Sequence, residues 1–141
     1  MRLLASTDIA LRVVMLLGQQ TDAGEPMKVE TIAQLLGNLS RNHLHKIVQD
    51  LSARGIVRTV RGVRGGVVLG DNLGEIRLGD MIRELEADQT LVDCFRSDGG
   101  SCVLKPCCQL SGMLYEAQES FYSSLNRKTL ADLIKNNVPI F

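Results

Sequence analysis

The sequence predicts a mainly α-helical chain interrupted by one small β-hairpin, and three observations carry that reading. Apolar residues recur at helical spacing through most of the 141 residues. One stretch, I-V-R-T-V-R-G-V-R-G-G-V-V-L at 56–69, switches to two β-branched runs joined by Gly and Arg. All four cysteines lie between residues 94 and 108, in a segment that also holds Gly99, Gly100 and Pro106 and reads as a loop.

Taken in order, T-D-I-A-L-R-V-V-M-L-L-G-Q-Q at 7–20 is the first expected helix. Ser6 or Thr7 is its expected cap, and Asp8 in the first turn suits the positive end of the helix dipole. Ile9, Val13, Leu16 and Leu17 share one face. A polar turn, T-D-A-G-E-P-M, precedes a short helix, K-V-E-T-I-A-Q-L-L-G, stopped by Gly37. The next helix runs between Ser40, a natural N-cap, and Gly55, a natural stop. Leu44, Ile47, Val48 and Leu51 form its apolar stripe, with Asn42, Lys46 and Gln49 roughly opposite and His45 at the edge.

Three helices followed by a basic hairpin is the winged helix-turn-helix order. The turn Gly37-Asn38-Leu39 separates the two motif helices. In that geometry the second helix enters a DNA major groove and the hairpin tip reaches a flanking minor groove. The expected base-edge readers are Asn42, His45 and Lys46, and the expected phosphate contacts are Ser40 and Arg41. Arg61 and Arg64, on the wing, are expected along or in the minor groove.

Beyond the wing, G-E-I-R-L-G-D-M-I-R-E-L-E gives a helix from about Leu78 to Ala87. After the cysteines, a longer helix over 108–125 carries Leu110, Met113, Leu114, Ala117, Phe121 and Leu125 on one stripe, as a dimerisation helix would. Thr129 caps a last turn, T-L-A-D-L-I. The chain thus divides into a winged helix-turn-helix DNA-binding domain, 1–76, and a cluster-loop and dimerisation segment, 77–141.

Zero net charge hides an asymmetry. Residues 1–69 hold nine Lys/Arg against five Asp/Glu, whereas residues 70–141 hold seven against eleven. A basic half joined to an acidic half suggests a polyanion-binding module attached to something else. No apolar run is long enough to span a bilayer and no export signal is evident, so a cytoplasmic location and no membrane partner are expected. The chain has no nucleophile–base motif, and the Gly65-Gly66 pair lacks a phosphate-loop context, so an enzyme is not expected.

Clustered thiols in a reducing compartment are more often metal ligands or redox groups than structural disulfides. Cys94 and Cys102 are separated by seven residues, Cys102 and Cys107 by four, and Cys102 and Cys108 by five, so the paired knuckles of a zinc ribbon are missing. Of the neighbours Cys107 and Cys108, one is expected to be a ligand and the other packed or spare. Three thiolates on a flexible loop suit an iron–sulfur cluster better than tetrahedral zinc, with zinc and free redox thiols as the alternatives. Both histidines, His43 and His45, sit in the basic helix, so a fourth ligand must come from elsewhere.

These features resemble, almost end to end, the bacterial iron–sulfur winged-helix repressors, and most closely their nitric-oxide-sensing branch. The resemblance rests on S-T-D-I-A-L-R, S-R-N-H-L-H-K-I-V-Q-D-L, V-R-G-V-R-G-G-V-V-L, I-R-L-G-D-M-I-R-E-L-E, P-C-C-Q-L and T-L-A-D-L-I. It implies a homodimer, a double-stranded operator as partner, nitric oxide as the signal, and an iron–sulfur cluster in each cysteine loop, 4Fe-4S in preference to 2Fe-2S. It assigns Cys94, Cys102 and Cys108 as ligands, with Cys108 preferred to Cys107 because the family's third cysteine precedes a polar residue and Leu. It matches Asp8 to a carboxylate that completes the iron coordination from the partner subunit's first helix. The seven-residue first gap is longer than is usual in the family. Ser111 stands where a sister branch, which regulates cluster assembly, places a histidine ligand.

Overall fold

The computed structural model describes residues 2–20 and 24–135. Six helices and one hairpin follow in order: α1 (Ala5–Leu17), α2 (Val29–Leu35), α3 (Arg41–Ala53), β1 (Val57–Val60), β2 (Gly66–Leu69), α4 (Leu78–Leu85), α5 (Gln109–Leu125) and α6 (Leu130–Lys135). The expected architecture, mainly α with a two-stranded wing, is what forms. Residues 21–23 of the expected polar turn lie outside the described residues.

Helix α1 begins two residues earlier than expected and ends three residues earlier. Its N-cap is Leu4, which offers no side-chain acceptor, so neither Ser6 nor Thr7 caps it. Thr7 is instead buried in the first turn. The acceptor comes from far along the chain: Glu86 Oε1 receives the Leu4 N–H at 2.9 Å. A carboxylate there satisfies one orphan amide and complements the helix dipole, which removes the need for a local cap.

The helix-turn-helix forms as expected. Gly37 (φ 97°) and Asn38 (φ 57°) both take the left-handed conformation in the turn. Ser40 occupies the N-cap position of α3, although its hydroxyl makes no capping bond. Leu44, Ile47, Val48 and Leu51 are all buried, as the stripe required. They join Val13, Val14, Leu17, Ile32, Ile56 and Val57 in one core that continues through Met81 and Tyr122 to Leu130.

The wing is antiparallel, pairing Val57 with Leu69 and Val60 with Gly66. Met27, read from sequence as part of a polar turn, adds a bridge: it exchanges two backbone hydrogen bonds with Val67, at 3.0 and 2.8 Å. The segment before α2 therefore braces the wing against the helices. The wing tip turns through Gly62 at φ 108°, a conformation that side chains rarely adopt, and closes with the Gly65 N–H on Gly62 O at 3.0 Å.

Helices α4 and α5 pack together through one close approach. A Cβ on Gly79 would collide with the Tyr122 carbonyl and the Asn126 side chain, so only hydrogen fits there. Asp80 N–H donates to Asn126 Oδ1 (2.9 Å), while Asn126 Nδ2 donates back to Asp80 Oδ1 (2.7 Å). The expected Thr129 cap is present. Thr129 Oγ1 accepts from Asp132 N–H (3.2 Å) and Asp132 Oδ2 accepts from Thr129 N–H (3.0 Å), a reciprocal capping box. The Thr129 N–H and hydroxyl, both donating to Oδ2, hold the Asp132 carboxyl below the usual carboxylate range.

Candidate nucleic-acid interface and cysteine loop

Because α3 buries every fourth or third residue, its other side is left to solvent. Ser40, Arg41, Asn42, His45 and Lys46 are all exposed on it, and Arg61 and Arg64 are exposed at the wing tip. All seven expected DNA-facing residues thus lie on two exposed, adjacent elements of one helix-turn-helix and its wing. Among the described residues, Lys46, Arg61 and Arg64 form no ion pair. Arg41 differs, because its Nη1 lies 3.0 Å from Glu30 Oε1 on α2. Arg58, on β1, pairs with Asp71 at 3.2 Å. The sequence reading missed both acids, since nothing in the order of residues brings Glu30 to Arg41.

The cysteine loop begins at a 3-10 turn, Asp93–Phe95, and ends in a second, Lys105–Cys107. Between them the chain is held by its own polar groups. Asp93 Oδ2 accepts the Ser101 N–H at 2.9 Å, and Asp98 Oδ1 accepts the Gly100 N–H at 2.9 Å. Arg96 clamps Asp98 at 2.7 Å, and that guanidinium together with the Gly100 N–H holds the Asp98 carboxyl below its ordinary range. Cys102 and Cys107 are exposed, Cys94 and Cys108 are half-buried, and none forms a disulfide.

Cys108 is the N-cap of α5. Cys94 Sγ approaches Ser111 Oγ, in the first turn of α5, at 4.0 Å. The two outer cysteines are therefore brought to the head of the same helix. Cys102 lies on the exposed stretch between them. Among the described residues, no three His, Cys, Asp or Glu side chains converge on a single point that would hold a metal ion. Asp8 stands in the first turn of α1, half-exposed, with Arg12 Nη2 2.7 Å from its Oδ2.

By donor chemistry the loop fits an iron–sulfur group: four unbridged thiols, two of them at a helix N-terminus, with a carboxylate accessible on another element. Among the described residues of one chain these donors do not converge on a single point.

Behind the loop, α4 and α5 are locked by a group absent from the sequence reading. Arg83 donates to both oxygens of Glu119, at 2.7 and 2.8 Å, and its guanidinium carbon lies 4.3 Å from the Tyr122 ring centroid. The fork holds the Glu119 carboxyl below its normal range. Burial raises the Tyr122 hydroxyl above its own.

A basic reading helix and wing, joined to a thiol-bearing loop at the head of a long helix, define a winged-helix transcriptional regulator. The chain belongs to the Rrf2 family, described as iron-dependent transcriptional regulators, and the match covers residues 3–136. It is similar to two proteins described as HTH-type transcriptional regulator NsrR. The one from Geobacillus kaustophilus (strain HTA426) is 39% identical over 99% of this chain and 94% of the relative. The one from Bacillus subtilis (strain 168) is 36% identical over the same shares. Among solved structures, the global cysteine regulator CymR of B. subtilis superposes with a TM-score of 0.70 at 27% identity, covering 98% of this chain and 99% of that one. T. potens IscR superposes with a TM-score of 0.68 at 26% identity, covering 96% and 88%. Among the described residues, no helix is long and apolar enough to cross a membrane.

Proposed function

We propose that this regulator is an NsrR-like repressor that binds a palindromic operator as a homodimer and leaves it when nitric oxide damages an iron–sulfur cluster. One observation carries the reading. Cys94 lies beside Ser111 in the first turn of α5 and Cys108 caps that helix, with Cys102 exposed between them, in a chain whose other end is a basic winged helix-turn-helix.

In this reading residues 1–76 read DNA, and residues 77–141 hold the cofactor and the subunit contact. Cys94, Cys102 and Cys108 supply thiolates, and Asp8 supplies an oxygen from the first helix of the partner. When bound, the cluster supplies iron to which nitric oxide binds strongly; we favour a 4Fe-4S over a 2Fe-2S form. A carboxylate is the hardest of the four donors, so Asp8 would be the ligand that a softer iron holds least well. To act as a ligand, Asp8 would have to exchange its Arg12 partner for iron.

The homodimer is supported by α5, where Leu110 and Met113 are 59% and 62% exposed on one continuous apolar stripe with the half-buried Leu114. If Asp8 bridges two chains, its release frees α1 of one subunit from the loop of the other and changes the spacing of the paired α3 helices. Half-site spacing is a geometric requirement of such dimers. About 2.7 kcal/mol of differential binding suffices for a ~100-fold loss of operator affinity.

A second reading, a thiol- or zinc-based redox regulator, draws support from the exposure of Cys102 and Cys107 and the absence of a converged site among the described residues. Metal and sulfide analysis of anaerobically prepared protein separates the two. Iron and sulfide in near-equal amounts support the cluster, and stoichiometric zinc without sulfide refutes it.

A further inference from the structure

The N-terminus of α1, which carries Asp8, is attached to the segment leading into the cysteine loop of its own chain. Glu86, only 9% exposed, reaches across 82 residues of sequence to accept the Leu4 N–H at 2.9 Å. Leu4 in turn accepts the Asp8 N–H on its carbonyl at 3.0 Å. Two hydrogen bonds therefore connect the Glu86 carboxylate to the backbone of Asp8. Glu86 is also the C-cap of α4, and its carbonyl closes the next turn by accepting the Gln89 N–H at 2.8 Å. From there the chain runs directly to Cys94.

Leu3 packs on the core here and Thr7 is buried, but the packing is incomplete. A cavity of about 370 Å³ opens between residues 2–4, Gln89 and Tyr122, with Glu86 on its wall. The side chain of Leu4 provides no cap, and the Thr7 hydroxyl has no partner. The carboxylate is thus the attachment that fixes where α1 begins, and Asp8 stands one turn further on.

We infer that Glu86 is a positioning residue for Asp8: it fixes the start of α1, and hence the place from which the Asp8 carboxylate is presented. The inference rests on the reading of Asp8 as an iron ligand. It assigns Glu86 no contact with iron. It also means that each loop and the ligand its own chain presents to the partner are tied through one partly buried hydrogen bond.

The test compares Asp8→Ala, Glu86→Ala, Glu86→Gln and Leu4→Pro, each prepared anaerobically. Leu4 has φ −58°, which proline accepts, so that change deletes the donor and leaves Glu86 in place. In cluster-free protein, Glu86→Ala and Leu4→Pro should speed exchange of the Asp8 amide hydrogen at least tenfold, while Glu86→Gln, which keeps an acceptor, should not. In reconstituted protein, Glu86→Ala and Leu4→Pro should share the altered visible circular dichroism and faster loss of iron to a chelator shown by Asp8→Ala, and Glu86→Gln should match the parent. Should Glu86→Ala not fold, Leu4→Pro alone decides. Native spectra and iron retention in Leu4→Pro, beside altered ones in Asp8→Ala, overturn the inference and leave the ligand reading intact. Native behaviour of Asp8→Ala overturns the ligand reading itself.

Discussion

Arg83 on α4 grips both carboxylate oxygens of Glu119 on α5, at 2.7 and 2.8 Å, while lying over the ring of Tyr122. This fork fastens the helix that precedes the cysteine loop to the helix that follows it, so loop geometry is set by a rigid base. Glu119→Gln removes the charge and should lower the urea midpoint slightly. Arg83→Ala should lower it more, because the aromatic contact and the aliphatic stem go too.

This pair and the Thr129 capping box together give a pH signature. The Glu119 carboxyl is held low by Arg83, and Asp132 is held low by Thr129, so the folded state binds fewer protons than the unfolded one in acid. Their stabilisation is present in full above about pH 5 and fades as pH falls below about 4, through the depressed folded values. Urea midpoints measured from pH 7 to 3 should fall, and Glu119→Gln should flatten part of that fall.

Gly79→Ala tests the closest helix contact. Its methyl would meet the Tyr122 carbonyl and the Asn126 side chain, and backbone cannot move aside as a side-chain tip can. A loss of about 1–3 kcal/mol in chemical unfolding is expected. The control, Gly74→Ala, meets nothing within 4 Å and should cost far less.

At the DNA face, Arg61→Ala should weaken operator binding and reduce the slope of log affinity against log salt by about one, because one phosphate-neutralising charge is gone. Glu30→Gln should do the reverse. Freed from its 3.0 Å partner, Arg41 should raise affinity for operator and for unrelated duplex alike, with a steeper salt slope. Electrophoretic or fluorescence titrations at several salt concentrations read both.

Much of this architecture is legible in the sequence because it depends on local periodicity. The Leu44, Ile47, Val48, Leu51 stripe, the Gly37 turn, the β-branched wing and the Thr129 cap were all set by neighbours within a few residues. What escaped depends on chain segments far apart. Ser6 and Thr7 look like caps, yet the true partner of the α1 N-terminus is Glu86. In E-L-E that residue is indistinguishable from a solvated acid. Met27 looks like a turn residue until Val67 pairs with it. Glu30 and Glu119 carry no local sign that each will take an arginine. The cysteines sit between these cases: their grouping is plain, and folding adds that Cys94 and Cys108 share the head of α5.

The most direct measurement is a nitric oxide titration of anaerobically purified protein, with iron, sulfide, visible absorption and operator binding followed on the same samples. Protein containing iron and sulfide, whose absorption changes in step with a loss of operator affinity of about 100-fold, is the expected result. Protein without iron or sulfide that binds the operator tightly, or a cluster destroyed by nitric oxide with operator binding unchanged, would contradict it.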